Sequence, residues 1–378
     1  MIRDSSLEAE PVAQRTAHVR PAAWRVACVG TAIVGVVVLR QLLFGGMDPT
    51  LFLAIGEGKP IQRGYAERLL GPVLTRPQGG HDGKFFFVQA NDPWFLDPGH
   101  HAVVLDRTLY RGQRMLYPML AGGFGALPPS AVVWGLIVVN VIAFGIGTFV
   151  AAKLAEIWGA STWLGLAVPL NVGLMSELTI DGSGVVAYVC CLLGLYALVR
   201  HHTWLAAIGF AAGALSREAM VLFAIGILVL WWITWRDAPW RIVILPAIAL
   251  VTWNVYLRVR LAGISGTGGA PTLIEAPFLG LARAARSWLA HPVDLLLSVV
   301  ILTVIVAFSV LALRTRSPLA WGALPFVALL FVLGAAVWEE PFDLSRAIAP
   351  VFTAAAFLVA SPDRTRPLRL EGDGTGTS

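Results

Sequence analysis

The chain has 378 residues, of which 57% are hydrophobic and only 13% charged. Soluble domains carry about a quarter charged residues, so the composition excludes an ordinary soluble enzyme and implies a protein built for a bilayer. The formal net charge of +5 is ordinary for such a protein and points to no nucleic-acid partner.

Residues 1–23 read as a polar cytoplasmic tail. A bilayer span needs about 20 apolar residues, and the first candidate runs from Trp24 to Phe44 behind Arg3, Arg15, Arg20 and Arg25. It lacks a small-residue cleavage site and is longer than a signal-peptide core, which predicts an uncleaved anchor. A long polar loop follows, residues 45–130, holding Asp48, Glu57, Glu67, Asp82, Asp92, Asp97 and Asp106 with Arg107, Arg111 and Arg114. Within it, Met115 to Leu127 is apolar but too short to span, which predicts a helix on the outer membrane surface anchored by Tyr117. Further spans are predicted at Ala131–Ala152, Thr162–Leu178, Gly184–Val199, Trp204–Leu215, Ala219–Trp235, Ile242–Leu257, Val293–Leu313, Leu319–Trp338 and Ile348–Ala360. The expected fold is therefore all-α, a polytopic transmembrane helical bundle of about ten spans over residues 24–361. Residues 362–378 read as a disordered cytoplasmic tail, too polar to bury a core. Cys28, Cys190 and Cys191 all fall inside predicted spans and form neither a disulfide framework nor a metal spacing.

Lys and Arg accumulate in short cytoplasmic loops. Lys153, Arg200, Arg236 with Arg241, Arg314 with Arg316, and Arg364, Arg366 and Arg369 share one side with the N-terminal tail. Both termini are expected in the cytoplasm, with the protein multi-pass in the cytoplasmic membrane. The other side receives the 45–130 loop, Ser176–Ser183, Arg217-Glu218, the Arg258–Pro292 loop and Glu339–Arg346. Arg258 and Arg260 fall on that side too, in a loop long enough to escape the rule.

Candidate chemistry gathers in these outer segments. Asp82 lies between Gly79-Gly80 and Gly83, followed by Phe85 to Phe87, which could pin the turn against the membrane surface. A carboxylate there could accept a proton from an attacking hydroxyl; the plain alternative is a turn in which Asp82 bonds its own backbone. These glycines lack the Gly-Lys-Ser/Thr spacing of a phosphate-cradling loop. Asp48, beyond the first span and before Pro49, is either a second catalytic candidate or a helix end. His81 could orient Asp82 or contact substrate, or simply be solvated. Arg111 and Arg114 suit a lipid-borne phosphate, because guanidinium forks grip its oxygens in pairs; their alternative is interfacial anchoring. Arg217-Glu218 interrupts the apolar stretch Trp204–Trp235, and ionisable groups at membrane depth suggest function, although adjacent opposite charges can also neutralise each other. Glu177 and Asp181, and Glu339, Glu340, Asp343 and Arg346, supply further acids and a base from the last outer loops, one or two of which are expected to line the cleft. His100-His101 has no third ligand spaced to join it, so no metal site is expected. Asn140, Asn171 and Asn254 fit interhelical hydrogen bonds.

Taken in order, His81 to Phe86, Tyr110 to Pro118, Leu178 to Gly182 and Leu215 to Ala219, set on this topology, resemble the GT-C glycosyltransferases. These integral membrane enzymes, which include protein mannosyltransferases and lipid A aminoarabinose transferases, use polyprenyl-phosphate-linked sugars. The likeness covers about Trp24 to Arg241. It implies a sugar donor on a polyprenyl phosphate, a cell-envelope glycan, lipid or protein as acceptor, surrounding membrane lipids, and an extracytoplasmic active site. It makes Asp82 the catalytic carboxylate of the first outer loop; Asp48 stays the second catalytic candidate on its position alone. His81, Lys84, Arg111, Arg114, Asp181, Arg217, Glu218, Glu339, Glu340 and Arg346 become the expected substrate-binding residues. The family's frequent Asp-Glu pair is Asp82-Gly83 here. No cofactor is expected, and a divalent metal is left open. Two other classes compete: a transporter or flippase for lipid-linked substrates, and a non-catalytic membrane protein. The first wants polar residues at mid-span, whereas charge here gathers on one side; the second needs no such density of acids and arginines.

Overall fold

The computed structural model describes residues 21–77, 80–235, 239–264, 274–289 and 292–360. Arg3, Arg15, Arg20, Gly79, Arg236, Arg364, Arg366 and Arg369, and with them nearly all of both expected tails, lie outside the described residues. The described chain is almost entirely helical; its one sheet is a two-residue parallel pair, Ile55–Gly56 with Thr75–Arg76.

Four helices are long and apolar enough to cross a membrane: Ala23–Phe44, Pro129–Ile157, Arg241–Arg260 and Pro292–Arg314. A fifth candidate is a bent pair, Pro341–Ala347 with Ala349–Ala360, whose axes meet at 68°. This is the composition of a membrane protein; among the described residues, four or five helices rather than ten meet the length of a full span. Gly184–Val199, Thr203–Ser216, Glu218–Thr234 and Pro318–Val332 are shorter apolar helices. The 16 residues of Gly184–Val199 reach about 24 Å at about 1.5 Å per residue, short of the roughly 30 Å hydrocarbon layer.

Two predicted spans are broken. Thr162–Leu178 becomes a 3-10 turn, Thr162–Ala167, and a seven-residue helix, Val172–Leu178. Pro169 lies between them and supplies no N–H to continue a helix. Asn171 starts the second piece, its side chain accepting from Leu174 N and donating to Ala349 O and Thr353 Oγ1. Leu319–Trp338 splits into Pro318–Val332 and Ala335–Glu339. There the carbonyls of Phe331 and Val332 accept from Phe278 N and Glu275 N, so an incoming segment takes the bonds that another turn would have made.

The Pro129–Ile157 helix is the buried centre. The Ala23–Phe44 helix packs on it through small residues: a Cβ on Gly30 would meet Thr148 Cγ2 at 2.8 Å, and one on Gly145 would meet Thr31 Oγ1 at 2.7 Å. Close approach through glycine is how helices associate where lipid gives no hydrophobic drive. The same first helix leaves Val36, Leu39, Leu43 and Phe44 exposed, a face suited to lipid.

The 45–130 segment is folded onto this bundle. Arg260, at the end of its long helix, donates Nε and Nη2 to Phe95 O, and Trp253 Nε1 donates to Gly112 O. The expected surface helix is instead a six-residue helix, Leu116–Ala121, with Tyr117 fully buried. Tyr117 is no membrane anchor: its hydroxyl donates to Leu136 O and accepts from Asn140 Nδ2. Phe85, Phe86 and Phe87 are likewise buried in protein, with Phe86 edge-on to Tyr117 at 5.3 Å.

Glycine also sets the contact between Val221–Trp235 and Pro318–Val332, where a Cβ on Gly226 would lie 2.0 Å from Trp321 O. Gly226→Ala should lower unfolding stability in detergent by about 1–3 kcal/mol, the usual cost of forcing atoms into a packed contact. Gly35→Ala, which meets nothing within 4 Å, should leave it unchanged or slightly higher. Equal effects at the two positions would contradict this packing.

Candidate functional site

Asp82 begins the helix Gly83–Asn91, whose three phenylalanines anchor it in the core. Gly83 holds the approach: a Cβ there would lie 2.5 Å from Ile180 O and 2.8 Å from Phe52 O. The Asp82 side chain makes no capping bond to its own helix, so the simple turn role is not what the structure shows. It faces three guanidinium groups instead.

Arg111 Nη1 donates to Asp82 Oδ1 at 2.8 Å, Arg346 Nη2 donates to Oδ2 at 3.2 Å, and Arg114 Nη1 lies 3.8 Å from Oδ2. Each of the three is also held from behind. Arg111 bonds Asp106 through Nε and Nη2, and Arg114 bonds both oxygens of Glu218 through Nε and Nη2. Arg346 donates Nη1 to Asp343 at 2.8 Å and Nε to Glu177 at 2.9 Å. The Arg111 and Arg114 guanidiniums further lie over the Phe85 and Tyr110 rings, at 4.1 and 4.8 Å.

Glu177 is buried, its side chain 2% exposed, and accepts from Arg217 Nη1, Arg346 Nε and Gly184 N. Gly182 and Gly184 leave room for it, since a Cβ at Gly182 would collide with Glu177 Oε2 at 1.8 Å.

Burial alone would raise the Asp82 carboxyl, but the charges of Arg111, Arg346 and Arg114 outweigh it and hold the group well below the usual carboxylate range. Lys84 is buried beside it, donating to His81 O and lying over the Phe85 ring. That burial pushes its ammonium down to about 8 despite the opposing charge of Asp82. His81 stacks tilted on Phe342 at 5.1 Å, and burial and then the charge of Arg346 disfavour its protonated form.

Of the residues expected from sequence, Asp82, Arg111, Arg114, Arg217, Glu218 and Arg346 are thus brought together, with His81 and Lys84 alongside. Four are not. Asp48 caps the 3-10 turn Pro49–Leu53 by accepting from Thr50 N at 2.8 Å, so it has the helix-end role. Asp181 is fully buried, and neither of its oxygens has a hydrogen-bond partner among the described residues. Burial drives its carboxyl well up, with only the charge of Arg76 opposing. Glu339 and Glu340 are exposed and make no ion pair among the described residues. The expected substrate-binding role of these two acids and of Asp181 finds no geometric support here.

Glu177 takes the place expected of Asp181. Its sequence signal is the pair Gly182 and Gly184 behind an acid, which marks a side chain needing space. Arg76, not singled out from sequence, donates Nη2 to Thr179 O and Leu51 O and ties the 45–130 segment to the turn after Val172–Leu178. Asn140 and Asn171 do bond across elements, to Gly182 O and Ala349 O, whereas Asn254 bonds its own helix at Leu250 O. His101 is buried with Nδ1 2.9 Å from Asp97 O. Among the described residues no group of three His, Cys, Asp or Glu side chains is placed to hold a metal ion. Comparison with family models, curated proteins and solved structures finds no match to this chain.

The Lys84 environment has a pH signature. Its folded-state affinity for a proton lies below the ordinary value of 10.5, so between about pH 8 and 10.5 the unfolded chain binds more protons than the folded one. The Lys84 contribution to stability therefore rises with pH across that window. Lys84→Met should flatten that rise in thermal unfolding curves taken from pH 7 to 10. An unchanged slope would mean that Lys84 stays charged in the fold.

Proposed function

We propose that this protein is a membrane glycosyltransferase that moves a sugar from a polyprenyl-phosphate carrier to an acceptor outside the cytoplasm, with inversion. The observation that carries this reading is the cluster around Asp82. One carboxylate suited to take a proton and three guanidiniums suited to a phosphate meet within about 4 Å, from the 45–130 segment and the short helix Pro341–Ala347. The cytoplasmic placement of both termini, and the outward placement of the cluster, belong to the same proposal and rest on the distribution of basic loops.

In the transfer, Asp82 accepts the proton of the acceptor hydroxyl as that oxygen bonds to the anomeric carbon. The bond from that carbon to the carrier phosphate oxygen breaks, and the phosphate leaves with the electron pair. Arg111, Arg114 and Arg346 meet its charge, which is the kind of preorganised electrostatic support that contributes most to many enzymes. Arg217 faces Glu177 rather than Asp82 and acts at one remove, by fixing the acid that holds Arg346. A carboxylate matched by three guanidiniums is a weak base, so the proton transfer requires those cations to turn to the phosphate first.

The test is turnover of a panel of radiolabelled polyprenyl-phosphate sugars by the purified protein. Asp82→Asn should lower turnover by at least about a hundredfold, the usual contribution of a general base, while the protein still folds. Asp48→Asn should cost far less, since an amide also accepts the capping bond. An Asp82→Asn protein that keeps more than about a tenth of its activity would move the base elsewhere.

A further inference from the structure

We infer that Asp82 is a stand-in anion: the guanidiniums of Arg111, Arg114 and Arg346 form a site for a phosphate group, and an arriving phosphate displaces the Asp82 carboxylate from it. The inference rests on the transfer reading for the origin of the phosphate, not for the existence of the site.

Three observations carry it. First, each guanidinium has its own anchor, Asp106 for Arg111, Glu218 for Arg114, and Glu177 with Asp343 for Arg346. The nitrogens left over converge on one point, which Asp82 fills. Withdrawing Asp82 would therefore not collapse the three donors. Second, the ligand in place is a poor match. A carboxylate offers two oxygens in a plane and a single charge, and Arg114 Nη1 is left at 3.8 Å. A phosphate sets its oxygens in a tetrahedron rather than a plane, which suits donors arriving from three directions. Third, the cluster has no spare positive charge, with four guanidiniums set against five carboxylates. Arg111, Arg114, Arg217 and Arg346 face Asp82, Asp106, Glu177, Glu218 and Asp343. A further anion gains little by addition to such a set, so it enters by exchange. Asp82 is the acid placed to leave, because it sits where the three remaining nitrogens meet and makes no cap to its own helix, while Asp106, Glu218, Glu177 and Asp343 hold the guanidiniums from behind.

The exchange has a consequence for order. While the site is empty of phosphate, Asp82 is bound by cations and takes up no proton. Once phosphate is seated, Asp82 is released beside it and becomes a competent base. The donor is thus bound before the acceptor is activated.

The test is equilibrium binding to the full-length protein in nanodiscs, with undecaprenyl phosphate, inorganic phosphate and undecaprenol as probes. Asp82→Asn should bind phosphate at least about tenfold more tightly than the unaltered protein, since a competing charged hydrogen bond is removed. Arg346→Gln added to that variant should abolish the gain. A gain for the lipid phosphate alone assigns the site to a lipid headgroup, and an equal gain for inorganic phosphate assigns it to the free ion. Undecaprenol should show none. In the unaltered protein, bound undecaprenyl phosphate should make Asp82 reactive toward a water-soluble carbodiimide, read by peptide mapping. Asp82→Asn binding no more tightly than the unaltered protein, or Asp82 protected rather than exposed by the lipid, would overturn the inference. None of the three probes carries a sugar, so exchange without turnover would retire the transferase reading alone, and turnover without exchange would retire this inference alone.

Discussion

Taking a carboxylate out of water costs several kcal/mol unless opposite charge and hydrogen bonds replace the solvent. Glu177, 2% exposed, meets that demand with Arg217, Arg346 and the Gly184 N–H. From Glu177 the chain of ion pairs runs through Arg346 to Asp82, then to Arg111 with Asp106 and to Arg114 with Glu218. Four separate stretches of sequence are joined this way: the 45–130 segment, the turn around Glu177, the Arg217-Glu218 break and the last bent pair. Removing Glu177 would leave Arg217 without its ion-pair partner and Arg346 with one anchor fewer. The site and the packing of the loops are therefore one structure.

Helix length explains how these charges come to lie inside the protein. Three of the four long helices present broad apolar faces outward around the more buried Pro129–Ile157, while the shorter ones end within the bundle. Their ends turn charged and polar residues inward: Thr203–Ser216 stops at Arg217 in extended conformation, and Val172–Leu178 stops just after Glu177. Irregular backbone at such depth is tolerated only where other protein groups satisfy it. Asn140 bonding Gly182 O, Gln41 and Arg76 bonding Thr179 O, and Asn171 bonding Ala349 O supply those partners.

Hydropathy made the apolar runs legible, and each of them contains helix in the structure. It could not locate the breaks at Pro169 and Leu333. The second depends on Glu275 and Phe278, which arrive from a distant segment. Nor does an apolar triplet such as Phe85 to Phe87 say whether it faces lipid or protein, since both favour the same residues. The charged candidates were legible because charge beside apolar spans is costly, and six of them converge. Their convergence was not, because Arg346 is 264 residues from Asp82. The exchange of Asp181 for Glu177 has a local cause. Asp181 takes a left-handed backbone, φ 48°, and its side chain is buried apart from the network, while Glu177 four residues earlier is aimed into it. Side-chain direction in an irregular turn is not readable from spacing.

The ion-pair chain through Arg346 is the central claim, and a double-mutant cycle on unfolding free energy tests it directly. Glu177→Gln, Arg346→Gln and the double variant would be unfolded in detergent beside the unaltered protein. Coupling of about 1–3 kcal/mol is expected for two groups in one buried network. Single effects that add to within about 0.5 kcal/mol, as for independent sites, would contradict it.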